Sequence, residues 1–348
     1  MSEPVAANQT VTPDALPRPP RSRVAIALNL VGFALGLALL WWCGARALSP
    51  TNRAQLEMLA KAPIWQAGSM VALSFLSVGC SGMAFWAALA PVRKLPKADC
   101  IGVNFIAALG NYMPFKLGLI FRIFTHNRRN GVPLLTIGAW MGSMGVLMIC
   151  TLGPILLTSY WRQRIDVLWW LTSMGGIVVA CGLVLLAARV AASKGGWALI
   201  TRIWRSLPMP RKLRDSTVLD RAHEGARMIG SPGAIAGVVF WRLADLFTQA
   251  LRFLVASAIV GRAIHWEESI LAASTYFLIG SASPTGQLGV REEGTARLVR
   301  LVLPDVNLEE FSLIVLMVTA AELVALLVGG AIALAYLART KDNTAPAA

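Results

Sequence analysis

Gly110-Asn111-Tyr112-Met113-Pro114-Phe115-Lys116-Leu117-Gly118, followed by Arg122, is one of two stretches that interrupt an apolar segment in the same way. The other is Gly280-Ser281-Ala282-Ser283-Pro284-Thr285-Gly286-Gln287-Leu288-Gly289, followed by Arg291, Glu292 and Glu293. Gly110 and Pro114 correspond to Gly280 and Pro284 at an offset of 170, and Leu117-Gly118 to Leu288-Gly289 at 171. Paired Pro/Gly interruptions in corresponding halves of an apolar chain are the pattern of an inverted repeat with a site at its centre.

The composition sets the solvent. The 348 residues are 56% hydrophobic and only 14% charged, against about 25% charged in a soluble domain. Apolar runs long enough to span a bilayer, which needs ~20 residues, are expected at 24–45, 65–90, 132–159, 167–190, 232–260 and 309–338. Trp41, Trp42, Trp65, Trp161, Trp169, Trp170 and Trp266 stand at run ends, as an interfacial belt requires. Segments 98–131 and 268–303 are each apolar, then broken, then apolar and charged. Each reads as a re-entrant or broken helix pair, tolerated at membrane depth only where protein or a cavity surrounds it.

The expected fold is therefore all-α and polytopic: six full spans plus two re-entrant pairs in an inverted repeat. Residues 1–23 read as a disordered cytoplasmic tail and 24–339 as one transmembrane domain. Its repeats are 65–160 and 232–338, joined through a basic cytoplasmic linker at 191–231, and 340–348 form a tail. Length makes the first apolar run an anchor helix, since a signal peptide has only ~7–15 apolar residues.

Net charge is +14, but the cations lie in loops between apolar runs and no nucleic-acid recognition motif accompanies them. Membrane topology and anionic headgroups explain the charge. The linker carries eight Lys/Arg against three acids. The positive-inside bias places it, with both termini, in the cytoplasm of a bacterial inner membrane. Arg46, Arg53, Lys61, Arg162 and Arg164 fall on the opposite side and run against that bias. Within the linker, Trp197, Ile200, Ile203, Trp204 and Leu207 describe an amphipathic interfacial helix. The five Cys lack metal or disulfide spacing, and no cofactor or metal is expected.

Charges inside spans mark pairing or function. Arg242 and Asp245, at i,i+3, form one expected pair. Arg252 is expected to snorkel. Glu322, alone in the last span, needs protonation or a partner among Arg122, Arg242 and Arg291. Helix starts near Gly118 and Gly289 would aim free N–H groups into the membrane interior, with Lys116 and Arg122 as added donors. Glu293 and Arg122 follow their glycines by the same four residues and are expected to pair across the repeat axis. Asn111, Pro114, Lys116, Gly118, Arg122, Pro284, Gly286, Gly289 and Arg291 are thus the candidate substrate-binding residues. Arg242, Asp245, Glu292, Glu293 and Glu322 are candidates for gating or coupling. Glu292-Glu293 with Arg297, and His126 with Asn130, also fit fragments of an intramembrane prenyl-peptide protease motif. With three His in the chain and the element order reversed, a hydrolase is the weaker reading.

At these residues the chain resembles the lysylphosphatidylglycerol synthase transmembrane-region family of flippase-like proteins. Pro114, Lys116, Gly118 and Arg122 match the first motif, where Leu119 replaces a Glu. Gly286, Leu288, Gly289, Val290, Arg291 and Glu292 match the second, where Gln287 replaces a Gly. The resemblance covers most of 24–338. It implies movement of an aminoacylated or glycosylated lipid across the membrane; with the paired motifs, the expected function is translocation of an anionic or amphipathic lipid, or of a lipid-linked precursor, without catalysis. Lysyl-lipid synthesis is not expected, because no soluble transferase domain follows. The expected partners are membrane lipids, with a homodimer or an envelope-biosynthesis enzyme as further partners and no nucleic acid. A non-transporting scaffold for a lipid-modifying enzyme is the alternative.

Overall fold

The structure is a computed structural model that describes residues 23–113, 116–206, 225–283 and 286–340. Among these it contains helices and no strand. In chain order the helices are α1 (Arg23–Ala47), α2 (Arg53–Ala60), α3 (Ile64–Leu89), α4 (Lys97–Gly110), α5 (Leu117–Asn130) and α6 (Leu134–Arg162). They continue with α7 (Val167–Ala192), α8 (Lys194–Ser206), α9 (Pro232–Ile259), α10 (Trp266–Ala282), α11 (Val290–Val302) and α12 (Leu308–Arg339). Six of them, α1, α3, α6, α7, α9 and α12, are long and apolar enough to cross a membrane. Their bounds fall within a few residues of the spans read from sequence. Trp41, Trp65 and Trp161 are exposed at span ends, while Trp169 is buried and bonds Ser159.

Local chemistry sets the ends. Asp166 caps α7 by accepting from the Trp169 amide (2.7 Å), and Ser231 caps α9 with Pro232 at its first position. Asn307 caps α12 by accepting from the Glu309 amide (2.9 Å). Helix α8 occupies the amphipathic stretch of the linker; Leu207, the last residue of that pattern, lies outside the described residues, as do residues 1–22 and 341–348 of the tails read at 1–23 and 340–348.

Two helix hairpins, α4–α5 and α10–α11, enter from opposite ends of α12. At the base of the first, Arg129 donates to Asp99 (3.1 Å) and to the Leu337 and Thr340 carbonyls (3.1 and 2.9 Å), which end α12. At the base of the second, Val302 leads directly into the start of α12, and Gln163 donates to its carbonyl (2.8 Å). The tips meet between these ends. The Gln287 amide donates to the Asn111 carbonyl (3.2 Å), and Lys116 Nζ to the Ser281 carbonyl (3.3 Å). Helix α7 ends and α9 begins on the side of the first hairpin's base, here termed the linker side. The start of α1 and the end of α12 share that side. Arg46 at the end of α1 pairs with Glu293, and Ser49 donates to Glu309 (3.2 Å) on the far side. The tracing reproduces the inverted-repeat plan.

Close approach at the tips demands glycine at two positions. A Cβ on Gly118 would lie 1.8 Å from the Ala107 carbonyl oxygen, so α5 starts directly against α4. Gly289, at φ +79°, abuts Gly36 of α1, where a Cβ would lie 1.7 Å from a carbonyl oxygen. Both obstacles are backbone and cannot rotate away. Gly118→Ala and Gly289→Ala are therefore expected to lower stability by at least ~1–3 kcal/mol. Gly175→Ala, with open space around its Cα, is expected to leave the unfolding midpoint in detergent unchanged or slightly raised.

Candidate functional site

Beside the hairpin tips lies a cavity of about 380 Å³. Its walls come from the middle and linker-side parts of α3 (Ser77, Ser81, Phe85), α6 (Met141, Met144, Met148) and α9 (Arg242, Asp245, Gln249). The two tips add Asn111, Lys116, Gln287 and Arg291. Leu119 lines it and is 39% exposed, so the cavity reaches the lateral surface between α5 and α6.

The far-side floor is a charged layer centred on Glu322, the middle of α12. Its carboxylate accepts from Arg291 (3.1 Å), from Arg252 (3.1 Å) and from the Tyr112 hydroxyl (3.0 Å). Arg291 also donates to Tyr112, and its guanidinium lies over the Tyr276 ring at 3.9 Å. Glu292 stands behind Arg291, accepting from Thr319 (2.9 Å) and from the Gly289 amide (2.6 Å), the N-terminus of α11. One carboxylate thus ties both hairpins to α9 and α12, with each buried charge met by an opposite one.

A second cluster stands on the α3–α9 contact. Asp245 accepts from Arg242 (3.0 Å), Ser77 (2.5 Å) and Gln249 (3.0 Å). Ser74 and Ser81 accept from Arg252 and Arg242 at 3.0 and 3.2 Å, so a serine stripe of α3 answers the charged stripe of α9.

Arg122 is different. It is 5% exposed, and its one hydrogen-bond partner among the described residues is neutral, Asn104 Oδ1 at 2.5 Å. The Asn104 amide NH₂ is fixed on the Val78 carbonyl (2.8 Å), which directs Oδ1 at the guanidinium. Arg122 also lies 3.7 Å over the Phe85 ring, which has Arg242 at 5.9 Å and the Trp140 ring packed edge-on at 5.8 Å. Two guanidiniums share one ring, and Asp245 answers only Arg242. Lys116, half-buried, likewise contacts a carbonyl and, among the described residues, no carboxylate.

The structure thus brings Asn111, Lys116, Arg122, Arg242, Asp245, Arg291 and Glu322 to one cavity. Gly118, Gly286 and Gly289 shape the tips without lining it, and Pro114 and Pro284 lie outside the described residues. Two expectations are corrected. Arg252 does not snorkel: it is 1% exposed, because Glu322 supplies a buried counter-charge. Glu322 takes Arg291, one of its three expected candidates, and also Arg252, which was not among them. Arg122 and Glu293 do not pair; Glu293 faces α1 and binds Arg46 and Arg297 (2.5 Å for the latter). His126 bonds Asn130 (2.9 Å), which bonds Asp99, at the base of the first hairpin. Glu292 and Glu293 belong to the other hairpin, so the protease-like fragments do not converge. Tyr112, Tyr276, Arg252, Asn104 and Gln249 were missed. Tyr112 was visible as the one hydroxyl inside the first interruption, and Arg252 as a third ionisable residue of the Arg242/Asp245 helix.

Glu322→Ala leaves Arg252 without a carboxylate and Arg291 with Glu292 alone, and is expected to cost ~3–5 kcal/mol. Tyr112→Phe removes one hydroxyl from the same layer and is expected to cost ~1–3 kcal/mol. Unfolding in mixed micelles measures both; equal small losses would mean that Glu322 does not organise the layer.

Searches of curated proteins and of solved structures return no match. The family model for the lysylphosphatidylglycerol synthase transmembrane region matches residues 29–330, which takes in α3–α11, both hairpins and the whole of the cavity. The chain is a membrane protein and belongs to the lysylphosphatidylglycerol synthase transmembrane-region family.

Proposed function

We propose that this protein translocates an anionic or amphipathic lipid, or a lipid-linked precursor, across a bacterial inner membrane, and that it is a transporter and not an enzyme. The observation that carries this reading is Arg122, a buried cation in a laterally open cavity with no carboxylate partner among the described residues. A buried unpaired charge is costly unless something compensates it; an anionic headgroup arriving from the lipid would do so. The volume falls in the range of ~300–1,000 Å³ usual for ligand sites. It accommodates a headgroup, with acyl chains left in the bilayer beyond Leu119.

The far-side layer then acts as the closed gate. Arg291, Tyr112 and Glu322 hold the hairpin tips together beneath the headgroup, and passage to the far side requires that layer to part. The linker side is taken as cytoplasmic, by the positive-inside bias. Several cations opposing that bias are paired locally: Arg46 with Glu293, Arg53 with Glu57, and Arg162 and Arg164 with the one carboxylate of Asp166. The net excess remains on the linker.

The test is translocation of acyl-labelled phospholipid in proteoliposomes. Arg122→Ala is expected to slow it at least about tenfold, the loss of one charge-assisted contact of ~1.5–3 kcal/mol. Arg128→Ala, an exposed position on the same helix, is expected to match the unaltered protein. Equal rates for all three would overturn the assignment of the cavity.

A further inference from the structure

We infer that Leu119 sets the charge selectivity of this site, and that the preferred headgroup is a phosphate monoester or diphosphate carrying about two negative charges. The inference rests on the translocation reading for its site and deepens it to a substrate class.

The charges that line the cavity nearly cancel, except at one place. Asp245 answers Arg242, and Glu322 with Glu292 answers Arg291 with Arg252. Lys116 and Arg122 remain, both on the first hairpin, both with neutral partners among the described residues.

Counted from the helix starts, and not from the paired glycines, the third residues of α5 and α11 differ in a way that explains this. Helix α11 starts at Val290, and its third residue, Glu292, turns back to accept from the Gly289 amide and to sit beside Arg291. Helix α5 starts at Leu117, and its third residue is Leu119. The second hairpin therefore neutralises its own helix N-terminus and its own arginine. The first does neither. Leu119 stands three residues before Arg122, the spacing at which helix side chains meet, and it lines the cavity at the lateral lip. A glutamate there would cap α5 and face Arg122. Leucine leaves both the positive end of the helix and the guanidinium for a ligand.

Headgroup charge then decides fit. A phosphate monoester carries about −1.5 to −2 at pH 7 and offsets Lys116 and Arg122 together. A phosphodiester offsets one of them. A zwitterionic headgroup offsets neither on balance, and a headgroup esterified with a cationic amino acid adds repulsion in a desolvated site.

The experiment uses the full chain in two formats. In detergent, binding of dioctanoyl phosphatidic acid, phosphatidylglycerol and phosphatidylcholine is followed by thermal shift. In vesicles, the acyl-labelled forms of the same lipids are followed for translocation. The expected order is phosphatidic acid, then phosphatidylglycerol, then phosphatidylcholine, with about tenfold between first and last in binding. Leu119→Glu is expected to flatten or reverse the order, and Leu119→Gln, similar in size and uncharged, to keep it. A flat order in the unaltered protein, or an unchanged order in Leu119→Glu, overturns the inference. So does a flattened order in Leu119→Gln, because charge would then not be the cause. If binding follows the expected order while no lipid moves in vesicles, the translocation reading fails and the charge selectivity stands. If all lipids move at equal rates, translocation stands and the selectivity fails.

Discussion

A carboxylate at the midpoint of a 32-residue apolar helix is the constraint on which the architecture depends. Glu322 lies at membrane depth with only 9% of its surface exposed, so it collects cationic and hydroxyl donors from whatever packs around it. It takes Arg291 from one hairpin, Tyr112 from the other and Arg252 from α9. Those contacts fix how far each hairpin penetrates, because both tips must reach the same depth on α12. The Gln287–Asn111 and Lys116–Ser281 bonds then follow from the tips being brought together. At the described residues of the interruptions, the opposing hairpin supplies donors to the Asn111 and Ser281 carbonyls, which is how broken helices are accommodated in hydrocarbon.

The two halves are equivalent in plan and unequal in chemistry. The second hairpin is finished: its helix start is capped by Glu292, its arginine is paired, and α1 closes over it at Gly36 and Arg46. The first hairpin is left with Arg122 held by an amide and a phenyl ring. That inequality places unanswered cations in the cavity beside the tips, on the linker-side half, and makes it electropositive. A symmetric pair of finished hairpins would leave nothing for a ligand to complete.

Much of the fold was legible because each span is a continuous apolar run and each interruption contains Pro and Gly. The orientation of the hairpins followed from counting spans. The pairing pattern was not legible. Sequence spacing reveals partners on one helix, as for Arg242 and Asp245, but not those contributed by another, as for Glu322 with Arg252. The expected Arg122–Glu293 pair failed for a geometric reason. In an inverted repeat the hairpins point toward each other, so residues four positions beyond each tip move toward opposite faces and apart. Equivalence in the repeat therefore placed the tips together and separated the charges behind them. Leu119 was visible as a departure from the family motif. Its meaning needed the structure, which aligns it with Glu292 by helix start.

The central claim is that an unneutralised cation in the lateral cavity holds an anionic lipid headgroup. Native mass spectrometry of lipids retained on the purified protein tests it most directly. The account predicts retained lipid enriched in phosphate-bearing anionic species relative to the surrounding membrane, with the enrichment lost in Arg122→Ala. Retained lipid that mirrors bulk membrane composition, or an enrichment indifferent to Arg122, would contradict it.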